Sequence, residues 1–312
     1  MADCNNLFRR YHGEISIGSA KNNKMKDSKE GLRERIRDWF AENQPEYVPQ
    51  FYIQGSYKMK NGIRTSEDIC DLDDGIYFFR EPDVTASTIK EWVRQAVDGY
   101  TDTPPENRKK CVRSIFAGDY EIDHPVYYKI DGQEYKIAVK GIGWEDSDPK
   151  ALVDWFVKNK DKEGRLLRDV KYLKGWADDR SFKMPSGLAL TILATNAKNK
   201  IVLNERDDIT LRDILKEIKK ALNAKFECIV PAVPYDDLFA DYDEDRKNKF
   251  MSALDDFIID ADKAIRETNQ LRASRLWRKH LGNRFPLGED NEENHAASSA
   301  AIGAATSNPW AK

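Results

Sequence analysis

The sequence predicts an α+β fold with two lobes, because strand-like segments come first in the chain and helical segments follow. Between residues 51 and 139, short apolar runs are bounded by Gly, Pro and Asp, as is typical of strands and hairpins. From about Asp148 onward, apolar residues instead recur at helical spacing. With 312 residues, the chain is long enough to form two hydrophobic cores. We therefore expect a mixed-sheet lobe followed by a helical lobe.

Composition sets the predicted bounds of three segments. The sheet lobe is expected over residues 1–146, although its N-terminal helix could pack on the second lobe. The helical lobe follows over residues 147–286. Beyond Pro286 the chain becomes acidic and then rich in Ala, Ser and Gly, which predicts a disordered tail over residues 287–312.

In the sheet lobe, a first amphipathic helix is predicted to start at Asp27 or Ser28, either of which can serve as its N-cap, and to end before Pro45. Asp131-Gly132 is a typical hairpin turn. The remaining elements are a helix at 85–100 and strands at 51–53, 69–79, 112–116, 120–130 and 135–139.

The helical lobe is expected to hold six helices. The first begins near Pro149, since proline is favoured in the first turn of a helix. The third begins after Pro185-Ser186-Gly187. The apolar spacing predicts helices at about 149–156, 166–176, from 187 onward, and at 211–222, 245–269 and 273–282.

Charge and cysteine usage exclude several classes of protein. The net charge of −3 disfavours broad nucleic-acid binding, for which a strongly basic surface is usual. The four cysteines are scattered, which indicates reduced thiols and neither a disulfide framework nor a zinc site. The first residues are polar, and no apolar run approaches the ~20 residues of a membrane span. We expect a cytoplasmic protein without a membrane anchor.

The most informative residues are Gly55-Ser56 and the pair Asp71 and Asp73. A Gly-Ser turn that follows a strand can bind a triphosphate through backbone N–H groups and the serine hydroxyl. Asp71 and Asp73 share one face of the next strand, because strand side chains alternate with period two. Two carboxylates about 4 Å apart repel by roughly 4 kcal/mol at an effective dielectric of 20, so a cation is expected between them. Oxygen ligands beside phosphate favour Mg²⁺ or Mn²⁺.

A third carboxylate is expected from a neighbouring strand. Asp123 is the best candidate, because apolar residues flank it in a strand pattern. Two other interpretations of Asp71 and Asp73 are an acidic surface turn and a calcium loop that also uses Asp74 and Gly75. The hydrophobic strand that follows disfavours the calcium loop, since an EF-hand loop spaces its ligands over twelve residues and ends in Glu. Asp74 faces away from the pair, so we expect it to accept backbone hydrogen bonds. The combined pattern favours nucleotidyl transfer.

Several short segments, in a fixed order, carry a resemblance to a known family. They are Gln54-Gly55-Ser56-Tyr57, Asp71-Leu72-Asp73-Asp74-Gly75-Ile76-Tyr77, Ile122-Asp123-His124-Pro125-Val126-Tyr127, Ser147-Asp148-Pro149-Lys150, Asp154-Trp155-Phe156, Tyr172-Leu173-Lys174-Gly175-Trp176, Pro185-Ser186-Gly187, Leu276-Trp277-Arg278-Lys279 and Gly282-Asn283-Arg284-Phe285-Pro286. Together they resemble the bacterial cGAS/DncV-like nucleotidyltransferases, also called CD-NTases or SMODS-domain enzymes, of the DNA polymerase β superfamily. The resemblance covers about residues 5–286.

The resemblance implies a bilobed polymerase-β-like fold with the active site in the cleft between the lobes. It implies an enzyme that joins ATP, GTP or other nucleoside triphosphates into a cyclic di- or trinucleotide and releases pyrophosphate. Asp71, Asp73 and Asp123 would be the catalytic residues and would hold two Mg²⁺ ions. In CBASS anti-phage systems, such a product activates a companion effector.

The resemblance also implies further nucleotide contacts. Lys174 and Ser186 match positions that contact the donor triphosphate from the helical lobe. Arg113 matches, across a one-residue gap, an arginine that contacts a base or phosphate in some relatives. Gln54 is expected near the phosphates, and Tyr57 could stack on a base or simply pack.

Other functions remain open beside the cyclic synthase. The chain could be a linear oligonucleotide synthetase or another polymerase-β-type transferase that tags tRNA or protein. It could also be a nucleotide-binding regulator without turnover. Because it lacks the basic surface and the Cys/His insertion of the animal DNA sensor cGAS, we expect no nucleic-acid activator, and we expect a monomer.

Overall fold

A computed structural model describes residues 1–290; most of the predicted tail, residues 291–312, lies outside the described residues. None of the helices in the described part is both long and apolar enough to cross a bilayer. The helices are α1 (Asn5–Ile15), α2 (Ser19–Asn43), α3 (Gly55–Met59), α4 (Ala86–Val97), α5 (Pro149–Asn159), α6 (Arg165–Asp178), α7 (Gly187–Lys198), α8 (Asp207–Ala224), α9 (Glu244–Arg266) and α10 (Gln270–Leu281). The strands are β1 (Gln50–Gln54), β2 (Cys70–Phe78), β3 (Glu106–Asn107), β4 (Val112–Phe116), β5 (Tyr120–His124), β6 (Val126–Tyr128), β7 (Lys136–Val139) and β8 (Gly143–Asp146).

The strands form one mixed sheet around β2. β5 and β6 both run parallel to β2 in the same register, so they act as one strand that is interrupted at Pro125. Pro125 has no N–H to donate, but its carbonyl accepts a hydrogen bond from the Ile76 N–H at 2.9 Å. β1 pairs antiparallel with the other edge of β2, and the remaining strands extend the sheet in antiparallel pairs. The single strand predicted over 120–130 is therefore divided.

The long helix of the sheet lobe starts earlier than predicted. α2 begins at Ser19 with Gly18 as its N-cap, so the predicted start at Asp27 or Ser28 is wrong. The physical reason is Met25, which is fully buried and extends the apolar stripe of the helix by two turns toward its N-terminus.

The two largest hydrophobic clusters of the described residues confirm the α+β class. One cluster joins the sheet to α2 and α4, and the other joins α5 to α10. The N-terminal helix α1 belongs to the helical cluster, where the ring of Phe8 lies 4.9 Å from that of Trp277 and 5.1 Å from that of Tyr172. The chain therefore starts in the helical cluster, crosses to the sheet, and returns at α5.

Candidate active site

The register of two parallel strands brings the three predicted acids together. Asp73 of β2 lies directly opposite Asp123 of β5, and Asp71 shares the face of Asp73. Leu72 points to the opposite face, where it is fully buried in the core of the sheet lobe. All three carboxylates line one cavity of about 800 Å³. The hydrophobic burial of Leu72 thus fixes which face of the strand presents the acids.

The walls of this cavity come from both lobes. Besides the acids, four of the predicted nucleotide-binding residues line it, namely Gln54, Gly55, Ser56 and Lys174. Three predicted residues do not line it, namely Tyr57, Arg113 and Ser186. The structure therefore assembles most of the predicted site and gives these three residues other surroundings.

Ser186 and Tyr57 have structural contacts. Ser186 is the N-cap of α7, where its hydroxyl accepts a hydrogen bond from the Ala189 N–H at 3.2 Å. Its neighbours Pro185 and Gly187 line the cavity, so the N-terminus of α7 lies at the cavity rim. Tyr57 is partly buried against the core of the sheet lobe. Tyr57 thus packs, which is one of its two predicted roles, and its stacking on a base stays a prediction.

The Gly-Ser turn is the first turn of the short helix α3. Gly55 has a φ of +60°, and a Cβ built on it would lie 1.9 Å from Oδ2 of Asp73. Both observations require glycine at this position. Next to it, the Ser56 hydroxyl oxygen is buried and has no hydrogen-bond partner within the described residues. The backbone therefore passes directly over the carboxylate and presents an unpaired hydroxyl beside it.

Burial and like charges shift the pKa of Asp73. Its burial, followed by the neighbouring Asp71 and Asp123 carboxylates, raises the pKa of Asp73 to about 7. Lys174 and Arg113 act in the opposite direction, but more weakly. A bound cation would relieve this repulsion, because it would favour the charged form of Asp73.

Lys174 supplies the positive charge on the helical side of the cavity. Its ammonium group donates hydrogen bonds of 3.0 Å to both the carbonyl and the side-chain oxygen of Asn61. Burial lowers the pKa of Lys174 to about 8, although Asp71 and Asp73 oppose the shift. The fully buried Asn61 thereby fixes the position of the lysine.

Arg113 contacts the third acid and not the cavity. It lies opposite Asp123 in the β4–β5 pair, and its Nε and Nη2 atoms donate to the two carboxylate oxygens at 2.7 and 2.8 Å. Its Nη1 atom pairs with Glu121. Such a bidentate pair is a strong, charge-assisted interaction. The guanidinium of Arg113 is thus engaged by Asp123, and its contact to a base or phosphate stays a prediction.

This ion pair decides how well the acids fit a divalent metal. Within residues 1–290, no group of three or more His, Cys, Asp or Glu side chains is arranged to hold a metal ion. Asp71 and Asp73 do offer hard oxygen donors on one face of β2, and a cation between them would offset the like charges that, after burial, raise the pKa of Asp73. The pair therefore fits Mg²⁺, whereas Asp123 shares its carboxylate with Arg113.

The expectation for Asp74 needs correction, whereas Gln54 lines the cavity as predicted. Asp74, expected to accept backbone hydrogen bonds, is fully buried and accepts from the guanidinium of Arg33 at 2.8 Å. The Gln54 side chain is held between two tyrosines, since Tyr77 donates to its oxygen at 2.8 Å and its nitrogen donates to Tyr127 at 3.0 Å. Gln54 thus lines the cavity with its amide already engaged.

Among the residues of the cavity wall that sequence reasoning missed are Asn61 and Cys111. Cys111 lies beside Asp123, and burial, followed by the charge of that carboxylate, raises the pKa of the thiol. The dipeptide Asn61-Gly62 marks a turn in the sequence, but nothing in it indicates a lysine partner 113 residues away.

Comparison with solved structures identifies the fold. Vibrio cholerae DncV cyclic AMP-GMP synthase in complex with nonhydrolyzable GTP matches with a TM-score of 0.80 and 18% identity, over 91% of this chain and 97% of that chain. Escherichia coli DncV in its 3'-deoxy GTP bound form matches with a TM-score of 0.75 and 19% identity, over 87% and 93% of the two chains. The fold is therefore the polymerase-β-like fold of DncV.

Sequence comparison identifies the family. The model of the nucleotidyltransferase domain of "Cyclic GMP-AMP synthase DncV-like" proteins matches residues 49–127. A cyclic GMP-AMP synthase of Escherichia albertii is 30% identical over 67% of this chain and 49% of that protein. A cyclic AMP-AMP-AMP synthase of an Acinetobacter strain is 27% identical over 50% and 48%. The chain thus spans about half the length of these curated relatives. The match of residues 49–127 confirms the resemblance to bacterial cGAS/DncV-like nucleotidyltransferases that the motifs predict.

Proposed function

We propose that this protein joins nucleoside triphosphates, ATP or GTP among them, into a cyclic di- or trinucleotide and releases pyrophosphate. The observation that carries the proposal is the β2–β5 register, which places Asp73 opposite Asp123 in a cavity that also holds Ser56 and Lys174. The names of the relatives, synthases of cyclic GMP-AMP and cyclic AMP-AMP-AMP, support the cyclic product. We further propose that the product acts on a companion effector in CBASS-type defence.

The residues of the chain can bind the donor triphosphate from two sides. From the sheet side, the Ser56 hydroxyl and the first-turn N–H groups of α3, which have no partners inside a helix, donate to the β- and γ-phosphates. From the helical side, Lys174 neutralises phosphate charge. Two of its three N–H donors point to Asn61, which leaves the third for a phosphate oxygen.

In the reaction, the ribose hydroxyl oxygen of the acceptor nucleotide bonds to the α-phosphorus of the donor. The bond from that phosphorus to the bridging oxygen breaks, and pyrophosphate leaves with the electron pair. The hydroxyl proton passes to a carboxylate, for which Asp123 is positioned, because it keeps lone pairs beyond the two that face Arg113. Asp71 and Asp73 would hold Mg²⁺, which when bound acidifies the attacking hydroxyl and stabilises the leaving pyrophosphate.

Arg113 and a bound metal ion are expected to compete for the Asp123 carboxylate, and this competition can be tested without measuring turnover. Arg113→Met is expected to tighten Mn²⁺ binding about tenfold, or about 1.4 kcal/mol, because the guanidinium no longer occupies the carboxylate. The metal-free variant should be less stable by ~3 kcal/mol, since a buried ion pair has lost one partner. Thermal unfolding across a Mn²⁺ titration measures both effects.

The matched control is Arg108→Met, which removes an exposed arginine paired with Glu106 and should leave Mn²⁺ binding unchanged. Weaker Mn²⁺ binding in the Arg113 variant would contradict competition and would mean that Arg113 orients Asp123 toward the cation.

The proposed product is tested by incubating the protein with Mg²⁺ and mixed radiolabelled triphosphates, followed by phosphatase. A cyclic product keeps its label because it has no terminal phosphate, and mass spectrometry then gives its bases and ring size. With the label on the α-phosphate, a linear oligonucleotide loses the label of its 5'-terminal phosphate and keeps only that of its internal linkages, which would favour the alternative synthetase. Tight triphosphate binding without release of pyrophosphate would instead indicate a regulator without turnover.

A further inference from the structure

A second, smaller cavity lies behind the phosphate-binding turn. It has a volume of about 290 Å³, and Ser56 and Gly62 line both this cavity and the main one. We call it the rear cavity; its other lining residues are Ile17, Asn22, Tyr57, Lys60 and Lys171. A Cβ built on Gly62 would lie 3.2 Å from the Ser56 hydroxyl oxygen and 3.4 Å from a methyl group of Ile17. The wall between the two cavities is therefore thin.

The rear cavity carries positive charge without a counterion. Lys171 is 7% exposed, and within the described residues its ammonium group donates only to the Ser16 hydroxyl, at 2.9 Å. Lys60, which ends α3 in a left-handed conformation, adds a second, exposed ammonium group. None of the lining residues is acidic. A buried lysine without a counterion is costly, so this arrangement needs a reason.

Helix α6 directs one lysine toward each cavity. Lys171 and Lys174 are three residues apart, so they lie on neighbouring parts of one helix face. Lys174 lines the main cavity, and Lys171 lines the rear one. Between them the buried Ser56 hydroxyl has no partner within residues 1–290. The ammonium groups that line the rear cavity thus come from Lys171 of α6 and from Lys60 at the end of α3.

We propose that the rear cavity binds the pyrophosphate that the reaction releases, with Lys171 as its main contact; this rests on the function proposed above. The chemistry is that of a small phosphate anion, because the donors are cationic and the volume is at the lower end of pockets that hold a drug-sized ligand, roughly 300 Å³. Each bond-forming step releases one pyrophosphate while the linear intermediate stays in the main cavity. Binding behind Ser56 removes the anion from the path of the intermediate.

The test is calorimetric binding of pyrophosphate, without nucleotide, to the wild-type protein and to Lys171→Met. The variant is expected to bind pyrophosphate at least tenfold more weakly, while the affinity for a nonhydrolysable triphosphate falls less than twofold. Its thermal stability should equal or exceed that of the wild type, because methionine keeps the packing and removes an uncompensated charge. This stability separates a lost contact from a damaged fold.

Lys158→Met on α5 is the matched control, since it removes an exposed lysine that lines neither cavity, and its pyrophosphate affinity should be unchanged. Unchanged binding by the Lys171 variant overturns the proposal. A parallel loss of pyrophosphate and triphosphate affinity also overturns it, because the cavity would then hold the terminal phosphate of the bound donor. Equal affinity for orthophosphate and pyrophosphate would identify free phosphate as the ligand instead. Failure of the proposed function would show differently, as intact Lys171-dependent pyrophosphate binding in a protein without turnover.

Discussion

Asp73→Asn is expected to lower the rate of nucleotide joining by about 10³-fold or more while it raises the stability of the metal-free protein. The activity falls because the substitution removes a carboxylate that the proposed reaction uses to hold Mg²⁺, an effect of several kcal/mol. The stability rises because the neutral amide brings no charge into a half-buried position beside Asp71 and Asp123. A substitution that merely damages the fold would lower both quantities.

The pH dependence of this gain has a definite sign. In the folded protein the pKa of Asp73 is raised to about 7, so between about pH 4 and 7 the folded state holds a proton that the unfolded chain has lost. The wild type therefore loses stability as the pH rises through this range, and the variant lacks that loss. We expect the difference in the free energy of unfolding to grow from pH 4 to 7, to stay constant above 7, and to reach on the order of 2 kcal/mol.

Thermal unfolding in chelator at pH 5 and pH 8, beside a pyrophosphate-release assay, measures both effects. Asp71→Asn is the control, because Asp71 is exposed and its variant should lose activity without a comparable gain in stability. If Asp73→Asn kept wild-type activity, Asp73 would not belong to the reaction. Equal stability of the variant and the wild type at pH 8 would mean that burial and the neighbouring carboxylates do not destabilise the charged form of Asp73.

Gly55→Ala is expected to lower activity by at least about 100-fold, the effect of roughly 2.7 kcal/mol in transition-state stabilisation. The added Cβ would lie 1.9 Å from Oδ2 of Asp73, so the carboxylate or the turn has to move. Either movement separates Ser56 from the acids. The left-handed φ of +60° adds a backbone cost of roughly 1–2 kcal/mol to stability.

Gly118→Ala separates the two contributions. Gly118 has a φ of +73°, but a Cβ built on it would meet nothing within 4 Å. It should therefore share the backbone cost, seen as a lower melting temperature, and keep its activity. A comparable loss of activity in both variants would trace the effect to stability alone and would contradict the close approach of Gly55 to Asp73.

The chain shows which parts of such a site follow from sequence. The common face of Asp71 and Asp73 follows from the two-residue period of a strand, and the candidacy of Asp123 follows from its apolar flanks. The β4–β5 register sets Arg113 opposite Asp123 and depends on the geometry of the tight turn between the two strands. The sequence did not predict this register, because Arg113 matches the related family only when a one-residue gap is introduced. The contact between Asn61 and Lys174 joins the two lobes, and no local pattern encodes it.

Helix boundaries, too, depend partly on tertiary contacts that the local sequence pattern does not show. The start of α2 at Ser19 requires knowing that Met25 meets the core of the sheet lobe, because the intervening lysines and asparagines read as a polar linker. Likewise, that α1 packs with α6 and α10 is a property of the tertiary structure, and the sequence left both lobes open for it.

The position of α1 has a mechanical consequence. Because the chain leaves the helical cluster after Ile15 and re-enters it at Pro149, two covalent tethers join the lobes at separate points. Two tethers restrict the hinge movement of one lobe against the other to rotation about the line that connects the tethers. Cutting the chain between α1 and α2 would leave a single covalent connection between the lobes. The cleft would then no longer open about one fixed axis.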